Sequence, residues 1–488
     1  MTAQPPVAPR DTYSPRTRTA LVLTGSGTAG AYHAGVLRAF QEAGVKIDLV
    51  AGTGMGVASA MFAAIDGSGR LWDRDGLWRR DVVSRFYRVR PALRALAWAL
   101  AASWALALLP FIALALGLLV YPVGFVIGVA GNPGGSALAG AYTALVARLF
   151  DPAFLPAVLP RALVVALAAF VAVAGGLAVF MLLVDRRARR DRAPFWWRLA
   201  GAPLSAEFAV AQLTTSLWRL LGGAAGARQP RSPDLSRIYA ELLRENLGQP
   251  GFRELLLTVH DLDMRRDFVF ALIGDRYRRD FFRPAERPPG GRPVSELFDL
   301  AGVARDHVIE VLDAALRLPV GTEAGMLRFP AESYWCGEQH RAVERPGAVD
   351  RLLDELPAAG IEQVIVVSAS PEVEGPHRLH QARGDWRGRL GDFLAGVETT
   401  AVRHVLAGDR GFRATFAIRP AYNPIGPLDM AGCYDERSDR RVPLGELVDR
   451  GYEDAYRQFI DPVVGAGGER LEAVAGQEPS ARVTEGLR

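Results

Sequence analysis

The chain has 488 residues, and its 57 Lys and Arg against 53 Asp and Glu leave a formal charge of only +4. So even a balance excludes the large positive field of a nucleic-acid binder, and two cysteines exclude a disulfide scaffold or a cysteine-held zinc. The seven histidines show no metal-ligand spacing, so neither a metal nor a cofactor is expected. Apolar residues reach 50% and mean hydropathy +0.10, an excess that proves to be local.

Residues 1–18 carry Pro, Arg and Thr with no apolar core, and read as a disordered tail. Thr19–Thr24 (TALVLT) has strand character and runs into Gly25-Ser26-Gly27-Thr28-Ala29-Gly30. Residues 31–43 then place Val36, Leu37 and Phe40 at helical spacing. A strand, a glycine-rich turn and a helix leave backbone N–H groups pointing outward, a nest for an anion. Such a nest serves either a dinucleotide pyrophosphate or an acyl-transfer oxyanion. The next unit discriminates. Strand Ile47–Ala51 leads into Gly52-Thr53-Gly54-Met55-Gly56 and the small-residue helix Val57–Ala64, the architecture of a nucleophile elbow. A dinucleotide site wants an acid at the far end of that strand, and Asp48 stands at its start. A dinucleotide-binding module is therefore the lesser alternative.

From Ala95 to Ala147 the chain holds 53 residues without Asp, Glu, Lys or Arg, and Ala162–Val184 holds another 23. A membrane-spanning helix needs about 20 apolar residues. Pro110, Pro122 and the turn Gly131-Asn132-Pro133-Gly134-Gly135 break the first run, so the expected spans are about 100–130 and 162–184, with 136–147 lying at the interface. Arg79, Arg80, Arg85, Arg88, Arg90 and Arg94 precede the pair, and Arg186, Arg187, Arg189, Arg190 and Arg192 follow it. Charge of that sign at both outer ends predicts a hairpin with its ends in the cytoplasm, held against anionic lipid headgroups. Trp196 and Trp197 fit an interfacial aromatic belt.

Residues 24–60, TGSGTAGAYHAGVLRAFQEAGVKIDLVAGTGMGVASA, resemble the patatin-like phospholipase family in the order and spacing of oxyanion loop and elbow, including Gly35 and Leu37. Val311–Thr322 and 347–371 are similar to the family's segments around its Asp motif, so the resemblance covers roughly 19–90 and 230–375. It implies an α/β three-layer sandwich with a mainly parallel sheet, interrupted by the transmembrane hairpin. The implied division is 1–18 tail, 19–90 first half, 91–200 membrane insertion, 201–465 second half and 466–488 tail.

The resemblance also assigns roles: Gly25, Ser26, Gly27, Thr28 and Gly30 to the oxyanion loop, and Gly52 and Gly56 to the elbow. The nucleophile serine's position is occupied by Gly54, and Trp335-Cys336-Gly337-Glu338 is matched to the family's Asp motif, placing Cys336 where the Asp belongs. Ala29 stands where the loop's Arg or Lys would be. With Gly54 and Cys336 at the two dyad positions, the implied protein is a lipid acyl hydrolase relative that is silent by the family mechanism and binds lipid or a protein partner. The alternative is an active acyl hydrolase with another nucleophile, from Ser26, Ser59 or Cys336, with Glu338, His340 or His33 as acid or base. Further on, Val364–Val367 reads as a buried strand, Phe412–Ile418 alternates, 420–427 is turn-rich, and Leu444–Ile460 is an amphipathic helix.

Overall fold

β1, Thr19–Thr24, is fully buried, as a strand covered on both faces must be. It lies in a computed structural model that describes residues 13–150, 159–184, 201–222, 228–283, 296–371 and 385–465. On one side β1 pairs in parallel with β2, Leu49–Thr53, in the register Val22 to Ala51. On the other it pairs in parallel with Gln363–Ser368, Val22 facing Val366, and that strand pairs in parallel with Ala414–Ile418. Beyond β2 come Glu254–Asp261, parallel to it, then Arg266–Leu272, antiparallel, and Leu297–Asp299. Gly325–Arg328 and Gln339–Val343 join at the end of Glu254–Asp261, so nine described strands make one mainly parallel sheet. The α/β expectation with a mainly parallel sheet holds.

The second strand starts two residues later than its apolar run suggests. The Asp48 carboxylate accepts the Thr19 N–H at 2.9 Å, so Asp48 closes the preceding turn instead of entering the ladder. Helix α1, Ala29–Glu42, and helix α2, Met55–Ala64, follow β1 and β2. Both start at carboxyl ends of adjacent parallel strands, where open α/β sheets place ligands. One layer of the core is formed by Val22, Ala51, Leu256, Val269, Leu352 and Val366, all buried. The expected helix at 444–460 is Gly445–Ala455, which passes into a π-helical turn from Tyr456 to Gly465. Residues 13–17 are not tail: Tyr13 is buried and its hydroxyl donates to the Lys46 carbonyl at 3.0 Å. The remaining expected tails, 1–12 and 466–488, lie outside the described residues, as do the arginines at 186–192 and Trp196 and Trp197.

The chain divides into two units, Met1–Arg88 with Leu204–Arg488, and Val89–Pro203. The second is helical: α3, Pro91–Val129; α4, Gly134–Phe150; and α5, Leu159–Val184. α3 packs on both others. It runs unbroken through positions 110 and 122, where a break was expected. The segment 136–147 expected to lie at an interface is the middle of α4, tied to α3 by the hydrogen bond between Tyr121 and Thr143 hydroxyls at 3.1 Å. Among the described residues no helix is long and apolar enough to cross a membrane, so the hairpin of two spans is not established by these helices. Their outer surfaces are nonetheless apolar: Trp98, Leu118 and Phe125 are 75%, 82% and 72% exposed.

Candidate active site

The glycine turn after β1 needs backbone angles that only glycine adopts freely, with φ of +121° at Gly25 and +53° at Gly27. Ala29 N–H returns to the Ser26 carbonyl at 3.1 Å and α1 begins. Among the described residues the N–H groups of Ser26 and Gly27 have no acceptor. The Thr28 N–H is taken by the Pro427 carbonyl at 3.0 Å, and the Thr28 hydroxyl donates to the Gly426 carbonyl at 2.9 Å. The turn-rich segment 423–427 thus closes one side of the nest. Gly30 is required by packing: a Cβ there would stand 2.1 Å from the Trp78 ring.

The elbow has the geometry its sequence spacing implies. Gly54 caps α2 at φ +60°, ψ −131°, and the Met55 N–H donates to the Gly25 carbonyl at 2.9 Å, locking elbow to nest. Gly56 lets α2 approach β1, since a Cβ on it would meet the Leu23 carbonyl at 1.9 Å. Gly52 likewise faces the Gly56 carbonyl.

The acid beside the elbow is Glu344. A Cβ built on Gly54 would lie 2.4 Å from Glu344 Oε1, so the carboxyl fills the seat that a side chain at 54 would use. The Ser26 hydroxyl donates to the same Oε1 at 2.5 Å. Among the described residues Glu344 Oε2 is buried without a hydrogen-bond partner. Burial pushes this carboxyl up to about 8, against the lowering effect of the Ser26 hydrogen bond, and the neighbouring Glu398 carboxyl adds to the rise. Glu398, on helix Trp386–Ala407, is itself raised by burial and takes the Gly347 N–H at 3.4 Å. A cavity of about 200 Å³ adjoins the nest, lined by Ser26, Glu398, Ala369, Leu394, Asn423 and Ile425.

Cys336 stands elsewhere. It is exposed, at φ +45° in the turn that follows Pro330, with its thiol on the Tyr334 carbonyl. The match of Trp335-Cys336-Gly337-Glu338 to an acid motif therefore does not carry through: the carboxylate in contact with the elbow comes eight positions later, directly after strand Gln339–Val343. Sequence reasoning missed it because Glu344-Arg345-Pro346 has neither the Asp nor the adjoining glycines. The available signal was position, since Glu344 immediately precedes the 347–371 segment that resembles the family.

The other candidate groups are partnered away from the nest. His33 Nε2 faces the Thr24 carbonyl at 3.1 Å, so it carries the proton, and Nδ1 faces the Ser59 hydroxyl at 3.4 Å. Burial lowers His33 to about 4, which keeps it neutral. His340 is buried between Asp261, at 2.8 Å, and Glu338, at 3.1 Å, within a cluster of Phe268, Phe329 and Trp335. Among the described residues no group of three or more His, Cys, Asp or Glu could hold a metal ion.

A family model described as patatin-like phospholipase matches residues 21–289, more than half of the chain. A stretch of 66 residues is 42% identical to patatin-like phospholipase domain-containing protein 6 of Mus musculus and of Homo sapiens, 13% of this chain and 5% of each relative. The match therefore spans a small part of those relatives' length. The crystal structure of VipD from Legionella pneumophila aligns over 91% of this chain and 67% of that one, at 12% identity and a TM-score of 0.28, a likeness that carries no argument. With the family model and the nest-and-elbow geometry together, the chain belongs to the patatin-like phospholipase family.

Proposed function

We propose that the protein is a membrane-associated member of this family that binds acyl lipid at the nest and is silent at the elbow. The observation that carries the reading is Gly54: the elbow turn is kept, its side chain is absent, and Glu344 Oε1 occupies the vacated space. Covalent catalysis from position 54 is impossible without a nucleophilic atom there. A retained nest beside a partly apolar cavity supports recognition of an ester or carboxyl headgroup.

Lipid as the partner of the helical unit is supported by its exposed apolar surface, far larger in character than a soluble surface tolerates. The α3–α4 crossing is of the kind that suits lipid. A Cβ on Gly135 would meet the Gly124 carbonyl at 2.2 Å and the Gly128 N at 2.7 Å, so small residues bring the backbones together where no hydrophobic force between helices operates. The Arg90 N–H donates to the Pro203 carbonyl at 3.0 Å, joining the unit's two ends, so any crossings the unit made would be even in number. Of the arginines before the unit, Arg79 is held by Asp449 and the Trp72 carbonyl, while Arg80, Arg85, Arg88 and Arg94 would be the ones to meet anionic headgroups.

The test is two measurements on the full chain. Carbonate-washed membranes should retain it, and the reconstituted protein should bind a fluorescent phosphatidylglycerol saturably. Release by carbonate, or absence of saturable binding, would overturn the reading.

A further inference from the structure

The buried hydrogen bond between Ser26 and Glu344 joins a hydroxyl to a carboxyl within reach of a cavity, in a site whose expected nucleophile is missing. Three observations make this more than a packing detail. Ser26 lines the cavity while Glu344 does not, so the hydroxyl is the member of the pair that an entering ligand meets first. Among the described residues Glu344 Oε2 is buried with no hydrogen-bond partner, an uncompensated polar atom that a merely structural pair would not keep. The unpaired N–H groups of Ser26 and Gly27 lie on the same turn as the hydroxyl, donors for charge developing beside it.

We infer that Ser26 and Glu344 form an acyl-transfer dyad one loop away from the elbow, acting on carboxylic esters of lipid. The inference rests on the acyl-lipid reading above and names its chemistry. Ser26 Oγ bonds to the ester carbonyl carbon while its proton passes to the Glu344 carboxylate. Collapse of the tetrahedral species breaks the carbon–oxygen bond to the alcohol, which takes that proton. A water molecule then attacks the Ser26 ester, giving its proton to Glu344, and the free acid leaves as the proton returns to Ser26. Glu344 reaches Ser26 because Gly54 carries no side chain, so the carboxyl takes the space that a Cβ at 54 would occupy.

The electrostatics give the dyad a distinctive pH dependence. The groups that face Glu344 are Ser26 from the nest, Glu398 from helix Trp386–Ala407, Tyr87, and Arg317, whose carbonyl accepts the Glu344 N–H at 2.8 Å. Burial and Glu398 hold the Glu344 carboxyl protonated up to about pH 8, and a base works only when deprotonated. Turnover should therefore rise with pH to a plateau above that value.

The experiment is reaction of the full reconstituted protein with an alkyl fluorophosphonate, mapped by mass spectrometry, alongside hydrolysis of a p-nitrophenyl acyl ester from pH 6 to 9.5. The expected result is a stoichiometric adduct on Ser26, lost in Ser26→Ala. Glu344→Gln, which keeps an acceptor but no base, should lower labelling and turnover by roughly 100-fold or more. Circular dichroism and the lipid-binding assay establish that the variants are folded. Absence of an adduct in protein that binds lipid would overturn the dyad and leave the lipid reading standing. An adduct at Ser59 or elsewhere, or activity independent of Glu344, would overturn it equally. Loss of lipid binding with Ser26 labelling intact would instead sink the lipid reading.

Discussion

At residue 54 the backbone and the side chain make opposite statements. The backbone, at φ +60° and ψ −131°, is that of a strained elbow, while glycine removes both the strain and the hydroxyl. Position 344 answers it: the carboxyl sits 2.4 Å from where a Cβ would be, so Gly54 and Glu344 act as one coupled pair. Gly54→Ser alone should therefore be destabilising, by about 1–3 kcal/mol from the backbone conformation, with the crowding against Glu344 added. Adding Glu344→Asp retracts the carboxyl by one methylene and should recover part of the loss. Chemical denaturation of the single and double variants measures this directly. Equal stability of all three chains would show that the two positions are not coupled.

Among the elements, the β1–nest–α1 and β2–elbow–α2 units hold the site because their backbones are in near contact. Met55 N–H to the Gly25 carbonyl ties one turn to the other, and Gly56 against the Leu23 carbonyl sets the height of α2 above the sheet. A methyl group cannot enter a gap of 1.9 Å without moving helix or strand. Gly56→Ala should cost about 1–3 kcal/mol, as overpacking does, with a lowered denaturation midpoint. It should also weaken lipid binding, since the elbow moves with the helix. A variant as stable as the native chain would mean that α2 is free to shift.

For the molecule as a whole, the helical unit Val89–Pro203 and the α/β unit each have their own packing. The Arg90 to Pro203 hydrogen bond holds the insertion's ends side by side, so a short glycine–serine link can replace what lies between them. Replacing 91–202 in this way should leave far-ultraviolet circular dichroism typical of an α/β protein, while retention in carbonate-washed membranes is lost. Retention of the shortened chain would place membrane affinity in the α/β unit.

The sequence by itself determined the local devices: β1 at Thr19–Thr24, the glycine nest, the elbow spacing through Gly54, and the concentration of apolar residues at 95–147 and 162–184. These follow from short-range rules, since turns with positive φ demand glycine and fully buried strands demand unbroken apolar runs. Ends were less legible where polar side chains close them, as Asp48 does at β2, and prolines did not stop α3. Only the tertiary structure decided which acid meets the elbow. Cys336 and Glu344 are eight positions apart on either side of the strand Gln339–Val343, and nothing local says which of them it delivers to Gly54. The pairing of Ser26 with Glu344 likewise joins residues 318 positions apart. A contact of that range exists because the strand Gln339–Val343, antiparallel to the end of Glu254–Asp261, returns the chain to the turn that follows β1, where burial then raises the Glu344 carboxyl to about 8.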